Sequence, residues 1–299
     1  MPYLQTDDET ELYYYDWGTG DPVVLIHGWP LSSASWEYQA GFLADNGCRV
    51  IAYDRRGFGR SEWPWAGYDY DTLAGDLNAL LEELDLKDVT LVGFSMGGGE
   101  VARYLSTYGD SRISRAVFVS SVTPYLLKTA DNPEGVDASV FDKIVVDLEE
   151  DRPAFLKEFL TKFYGRTMVS HTVSEPFLEF NSAMALAGSP VATMELVSAW
   201  SETDFRADLA TITVPTLVIH GTDDQTVPLV AAGRRTAQLV PNAQLIEYEG
   251  EPHGLLVTAA EDLNDDLLTF IKGAAETLPE FVEKPTTEFS ETAPVVGLP

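Results

Sequence analysis

Apolar positions along this chain switch repeatedly between two periods. Short runs rich in β-branched and aromatic residues predict strands at Glu11 to Trp17, Pro22 to Ile26, Cys48 to Tyr53, Asp88 to Val92, Arg115 to Ser120 and Thr213 to Ile219. A weaker run covers Gln244 to Glu249. Between them the spacing predicts helices, most clearly over Asp71 to Leu86, where Leu73, Leu77, Leu80, Leu81 and Leu84 form one apolar stripe. Further helices are expected at Gly98 to Thr107, Leu229 to Leu239 and Glu261 to Lys272. Strand–helix alternation at both ends of the chain predicts a doubly wound, mostly parallel α/β sheet.

The alternation stops between about Val122 and Phe205. There Phe155, Phe159 and Phe163 recur every four residues without a strong strand, so the segment reads as a helical cap inserted between two strands of the sheet. The phenylalanine stripe suits either plain core or the wall of a substrate site beneath the cap. One domain is expected over residues 1–275. From Glu276 to Pro299 the composition turns to proline and glutamate, as in a disordered tail or one that wraps a neighbouring subunit.

Composition narrows the partners. With 19 basic against 48 acidic residues and a formal charge of -29, direct binding to nucleic acid or anionic membranes is disfavoured. Aromatic residues at 11% and recurrent apolar runs exclude a disordered acidic chain. Lysine is scarcer than arginine, and this form of acid excess predicts adaptation to concentrated salt, which screens self-repulsion. The single cysteine, Cys48, cannot form an internal disulfide and reads as a small core residue. The N-terminal residues lack the pattern of a secretory signal, and no apolar stretch reaches transmembrane length, so a cytoplasmic location is the expectation.

The chemistry centres on Gly93-Phe94-Ser95-Met96-Gly97, which follows an expected strand and opens an expected helix. The pattern alone is weak. In that context it predicts a nucleophile elbow, a sharp turn that holds a serine hydroxyl above the sheet edge, with a helix N-terminus behind it. Of four histidines, His253 lies in a loop between the last expected strand and helix and is the candidate base. His171 falls inside the cap, and His27 and His220 read as histidines bonded to nearby backbone. Asp223 and Asp224 both follow a strand, and either carboxylate could orient His253. For a tetrahedral oxyanion the expected donors are the Met96 N–H and, from His27-Gly28-Trp29-Pro30, the Trp29 N–H, since Pro30 has none. Each such donor is worth on the order of 3 kcal/mol.

These blocks, together with Tyr53-Asp54-Arg55-Arg56-Gly57-Phe58-Gly59-Arg60-Ser61 and Glu202-Thr203-Asp204-Phe205-Arg206, resemble the α/β-hydrolase superfamily. Within it the chain is similar, from about Thr10 to Lys272, to the cofactor-free haloperoxidase, perhydrolase and aryl-esterase group. The resemblance selects Asp224, four residues before Pro228, as the third member with Ser95 and His253. It also implies an acyl pocket lined by Trp29, Phe94, Met96 and Trp200, and neither metal nor cofactor. The implied reactions are hydrolysis of short-chain or aryl esters and perhydrolysis, in which hydrogen peroxide replaces water and the released peracid oxidises halide. Pro30 after Trp29 resembles the perhydrolase form, and related proteins often assemble into trimers or larger rings. Aspartate-nucleophile dehalogenases and epoxide hydrolases are disfavoured by Ser95. A lactonase or γ-lactamase shares the triad, and a small-molecule receptor of the same fold is the alternative class, which needs no complete triad.

Unfolding followed across salt concentration is expected to show stability rising with salt. Full stability in low salt would count against the salt-adaptation reading.

Overall fold

The computed structural model describes residues 2–167 and 169–273, and the backbone of 281–284. In chain order its elements are β1 (Tyr3–Gln5), β2 (Glu11–Gly18), β3 (Asp21–Ile26), α1 (Glu37–Asp45), β4 (Cys48–Tyr53), α2 (Tyr70–Glu83), β5 (Val89–Phe94), α3 (Met96–Tyr108) and β6 (Ile113–Val119). Then follow α4 (Ala138–Phe163), α5 (Glu175–Leu186), α6 (Pro190–Glu202), α7 (Arg206–Leu209), β7 (Thr216–Gly221), α8 (Gly233–Leu239), β8 (Ala243–Tyr248), α9 (Leu255–Thr258), α10 (Ala260–Ile271) and β9 (Phe281–Lys284). The strands form one sheet in the order β1-β2-β4-β3-β5-β6-β7-β8-β9. The first two strands pair antiparallel, β2 also pairs antiparallel with β4, and all pairings from β4 to β9 are parallel.

Helices cover both faces, which is why the central strands read as near-continuous apolar runs rather than alternating ones. Every residue of β5, Val-Thr-Leu-Val-Gly-Phe, is buried. On α2 the expected stripe is the buried face, with Leu73, Leu77, Leu80 and Leu81 all inaccessible. Burying each leucine contributes up to about 1.5–3 kcal/mol. The Asp69 carboxylate caps α2 by accepting from the Thr72 N–H.

Several boundaries move. Helix α8 begins at Gly233 rather than Leu229, because Pro228 and Leu229 carbonyls are taken up in tight turns and Ala232 has a non-helical backbone. Strand β7 starts at Thr216, after Pro215, and runs on through His220 and Gly221. Strand β1 and helix α1 lie outside the expected set. The first has three residues, and the second buries Gln39 beside Ala40 and Leu43, which blurs its apolar stripe. The expected tail from Glu276 lies outside the described residues except for β9, which pairs parallel with β8.

Between β6 and β7 the chain forms α4, α5 and α6. Helix α4 breaks at Asp151 (φ -154°, ψ 81°), two residues before Pro153. The Asp151 carboxylate accepts from the Ala154 N–H, so the second half of α4 starts with its own cap.

A buried polar cluster fixes the sheet edge that carries the chemistry. Arg55, fully inaccessible just past β4, donates from Nη2 to the His27 carbonyl (2.6 Å) and from Nε to Glu100 of α3 (2.6 Å). The Tyr53 hydroxyl donates to the other Glu100 oxygen at 2.5 Å. His27 accepts the Arg55 backbone N–H at Nε2 (3.0 Å) and donates from Nδ1 to the Gly28 carbonyl (2.9 Å). Burial, reinforced by the Arg55 charge, holds the His27 imidazole well below its usual pKa, consistent with these neutral-ring contacts. Burial likewise raises the Glu100 carboxyl, against the opposing pull of Arg55 and Tyr53. Arg56 makes a second fork, on Asp76 of α2, at 2.6 and 2.7 Å. The loop after β3 is thereby tied to the helix that follows β5.

Removing one member of a fully buried pair strands the other charge. Arg55→Met is therefore expected to lower the unfolding free energy in urea by about 3–5 kcal/mol. The double substitution Arg55→Met with Glu100→Leu should lose clearly less; equal losses in both would show that the charges do not act on each other.

Candidate active site

Strand β5 delivers Ser95 at its end and α3 begins at the next residue. Ser95 has φ 54° and ψ -117°, a positive φ that is costly for a residue with a side chain. The turn is held by crowding. A Cβ on Gly93 would lie 2.5 Å from the Gly97 carbonyl oxygen, and one on Gly97 would lie 2.5 Å from the Ile26 carbonyl oxygen. Both obstacles are backbone, which cannot swing away. The two glycines thus let β5, α3 and β3 approach closely enough to hold the serine in this conformation.

His253 comes from the loop after β8. Its Nε2 lies 2.9 Å from Ser95 Oγ and its Nδ1 lies 2.6 Å from Asp224 Oδ2. Because the carboxylate is an acceptor, Nδ1 carries the proton, and Nε2 accepts from the serine hydroxyl. Asp224 follows β7. Its Oδ1 accepts the N–H groups of Thr226 (2.9 Å) and Val227 (2.7 Å). Burial alone would raise the Asp224 carboxyl, but electrostatic attraction to His253, together with the close contacts of His220 and His253, holds it well below the usual carboxylate range. Asp223 points elsewhere: it is exposed and accepts from the Gln225 side chain.

The loop His27 to Pro30 packs directly on the serine. A Cβ on Gly28 would lie 3.0 Å from Ser95 Cβ and 2.9 Å from the Phe94 ring. Trp29 and Met96 are both buried beside it. Met96 is the first residue of α3, so its N–H has no partner within the helix. The Trp29 indole donates from Nε1 to the Thr193 carbonyl of α6 at 3.0 Å.

An aromatic wall connects these parts. The Phe94 ring lies 5.2 Å from the His253 ring, and Phe163 meets the same imidazole edge-on at 4.7 Å. Trp29 meets Phe159 at 5.2 Å and Trp200 at 5.8 Å, and Trp200 meets Phe141 at 5.5 Å. The phenylalanine stripe of α4 therefore faces the histidine, and Phe159 and Phe163 join Phe94, Trp29 and Trp200 around the site. At the end of α4 the Phe163 carbonyl accepts the Gly254 N–H at 2.8 Å, clamping the histidine loop. The four-residue spacing marked this stripe in the sequence; no comparable signal marked Phe141. His171 is exposed, and His27 bonds to backbone. His220 also bonds to backbone, donating from Nε2 to the Val227 carbonyl at 2.8 Å, and the same nitrogen lies 3.3 Å from Asp224 Oδ2.

Residues 21–260 match the model of the alpha/beta hydrolase fold family. The chain is 42% identical over 275 residues to a bifunctional esterase/perhydrolase of Acinetobacter calcoaceticus, covering 91% of this chain and 100% of that one. It is 44% identical over 277 residues to a non-heme chloroperoxidase of Burkholderia pyrrocinia, with the same coverage of 91% and 100%. Among solved structures, a bromoperoxidase from Bacillus anthracis superposes with a TM-score of 0.87 at 49% identity, covering 90% of this chain and 99% of that one. An esterase from Exiguobacterium antarcticum gives 0.86 at 33% identity, covering 91% and 99%. The chain belongs to the alpha/beta hydrolase family.

Proposed function

We propose that this protein is a serine hydrolase that cleaves short-chain or aryl esters through an acyl-enzyme and, with hydrogen peroxide as the acceptor, releases peracids. The observation that carries the reading is the unbroken hydrogen-bonded chain from Asp224 through His253 to Ser95, at 2.6 and 2.9 Å. The names of the relatives, esterase/perhydrolase and non-heme chloroperoxidase, support the same pair of activities.

In this mechanism His253 Nε2 takes the Ser95 proton as Oγ attacks the ester carbonyl. The N–H groups of Met96 and Trp29 stabilise the oxyanion of the tetrahedral intermediate. As the ester C–O bond breaks, His253 returns the proton to the departing alkoxide. Water or hydrogen peroxide, deprotonated by His253, then attacks the acyl-enzyme, freeing Ser95 and giving a carboxylic acid or a peracid. In solution the peracid transfers oxygen to halide, leaving hypohalite and the carboxylic acid, which accounts for a haloperoxidase activity needing no cofactor. Asp224 keeps the His253 proton on Nδ1 and stabilises the imidazolium. The helices α4 to α6 act as the cap, whose rings with Trp29, Phe94, Met96 and Trp200 exclude water and favour compact acyl groups. The partners proposed are thus a small-molecule ester and peroxide, in a homo-oligomer.

With a chromogenic short-chain ester, Ser95→Ala is expected to lose turnover by at least about 10⁴-fold, and Asp224→Asn by about 10⁴-fold. Equal turnover by native and Ser95→Ala protein would refute the serine mechanism. Pro30→Leu is expected to lower the ratio of peracid formation to ester hydrolysis; an unchanged ratio sinks the perhydrolase role of this loop.

A further inference from the structure

A second histidine lies against the triad carboxylate. His220, the penultimate residue of β7, is fully buried, and its ring nitrogen Nε2 faces two acceptors. The Val227 carbonyl, 2.8 Å away, accepts its proton, and Asp224 Oδ2 lies 3.3 Å from the same nitrogen. Asp224 Oδ2 is the same oxygen that receives His253 Nδ1. The carboxylate is consequently held by three hydrogen-bond donors, two backbone amides on Oδ1 and His253 on Oδ2, with the His220 imidazole packed at close range beside Oδ2.

We propose that His220 is a positioning residue that locks the Asp224 carboxylate, and through it the plane and tautomer of His253. This rests on the serine-hydrolase reading above. The Asp224 carboxylate already folds the loop 224–227 around itself; His220 fastens that folded loop to the end of a central strand. The ring has little freedom of its own. Its Nδ1 is buried without a hydrogen-bond partner, and a Cβ on Gly233 would lie only 2.7 Å from that nitrogen. Gly233 therefore lets α8 close over the imidazole and keeps out a water that would draw the ring away from Asp224. A buried nitrogen without a partner costs free energy, and an apolar side chain at this position would have avoided that cost. The donor on the opposite side of the ring is what the position gains.

The charged side chains on the surrounding elements do not compete for this donor. Glu247, the register partner of His220 on β8, receives a forked pair of hydrogen bonds from Arg234 of α8 at 2.7 and 2.8 Å. Asp223 is turned to solvent, and Glu251 follows β8 in the loop that leads to His253.

The test compares native protein, His220→Leu, His220→Gln and Ser95→Ala on a chromogenic short-chain ester. It reads kcat, KM and the pH dependence of kcat, with the folded fraction checked by near-ultraviolet circular dichroism. His220→Leu is expected to lower kcat about 10- to 100-fold at nearly native KM, the range typical of partners that orient metal-bound histidines, the analogue for a group one step removed from the reactive imidazole. The acid limb of the profile, which belongs to the hydrogen-bonded chain as a unit, should move to higher pH, because Asp224 loses the imidazole beside Oδ2 and becomes the stronger acceptor. The amide of His220→Gln supplies an N–H in place of Nε2 and should recover most of kcat and the native acid limb. A folded His220→Leu with native kcat and acid limb would overturn the proposal. So would a folded His220→Gln as impaired as Asp224→Asn, which decides the matter even if His220→Leu fails to fold. Ser95→Ala separates the two levels: if it stays active the serine mechanism itself fails, and if it is inactive while His220→Leu is native-like, only the positioning role fails.

Discussion

The 2.9 Å hydrogen bond between Ser95 Oγ and His253 Nε2 joins residues 158 positions apart, and the structure around it serves to keep that one distance. The two partners arrive from separate parts of the chain, the serine on a turn between β5 and α3 and the histidine on a loop after β8. Neither has any intrinsic tendency to stay there. The serine is held by backbone crowding at Gly93 and Gly97, and the histidine by a carboxylate on one side and the end of α4 on the other. A parallel sheet suits this task because all its strands end at the same edge, so loops distant in sequence become neighbours in space.

Charge is handled differently at the two ends of the site. Around Asp224 three hydrogen-bond donors and the nearby His220 imidazole converge on one carboxylate, so its negative charge is present and fixed before any substrate arrives. Behind the loop His27 to Pro30 an arginine and a glutamate neutralise one another out of solvent, and with a neutral histidine bonded to the same arginine they act as a rivet between backbone segments. A buried pair of this kind adds little net stability over an apolar one, yet it specifies geometry, since its hydrogen bonds are satisfied in one arrangement only. The acidic exterior takes no part in either device.

Much of this was legible in the chain because strongly periodic segments leave few alternatives. The leucines of α2, the apolar run of β5 and the glycine-flanked serine each point to one local structure, and their order along the chain implies a shared sheet edge. Periodicity says less where tertiary contacts decide. The start of α8 depends on how Pro228 and Leu229 turn, and α1 buries a glutamine because Gln39 Nε2 finds the Leu256 carbonyl at 2.9 Å, a contact 217 residues away in the chain. The residues alone leave Asp223 and Asp224 open and the family resemblance chooses Asp224; the path of the loop after β7, which places Asp224 Oδ2 on His253, is not written in the composition. The backbone bond of His220 was legible, since a histidine ending a strand has backbone acceptors nearby, but nothing in its local sequence announces that a carboxylate four residues on comes within 3.3 Å of its ring.

Trp29 occupies a place where two demands meet. Its backbone belongs to the loop pressed against Ser95, while its indole is anchored to the Thr193 carbonyl on α6 and ringed by Phe159 and Trp200. In the proposed mechanism, the residue that shapes the acyl pocket is thus mechanically continuous with the peptide that would receive the developing negative charge. Substrate choice and turnover would then be written into one rigid body, so that reshaping the pocket by moving α6 would also re-aim the oxyanion donor. In such an arrangement new specificities arise more readily from the rings of α4, which touch the pocket without sharing its backbone.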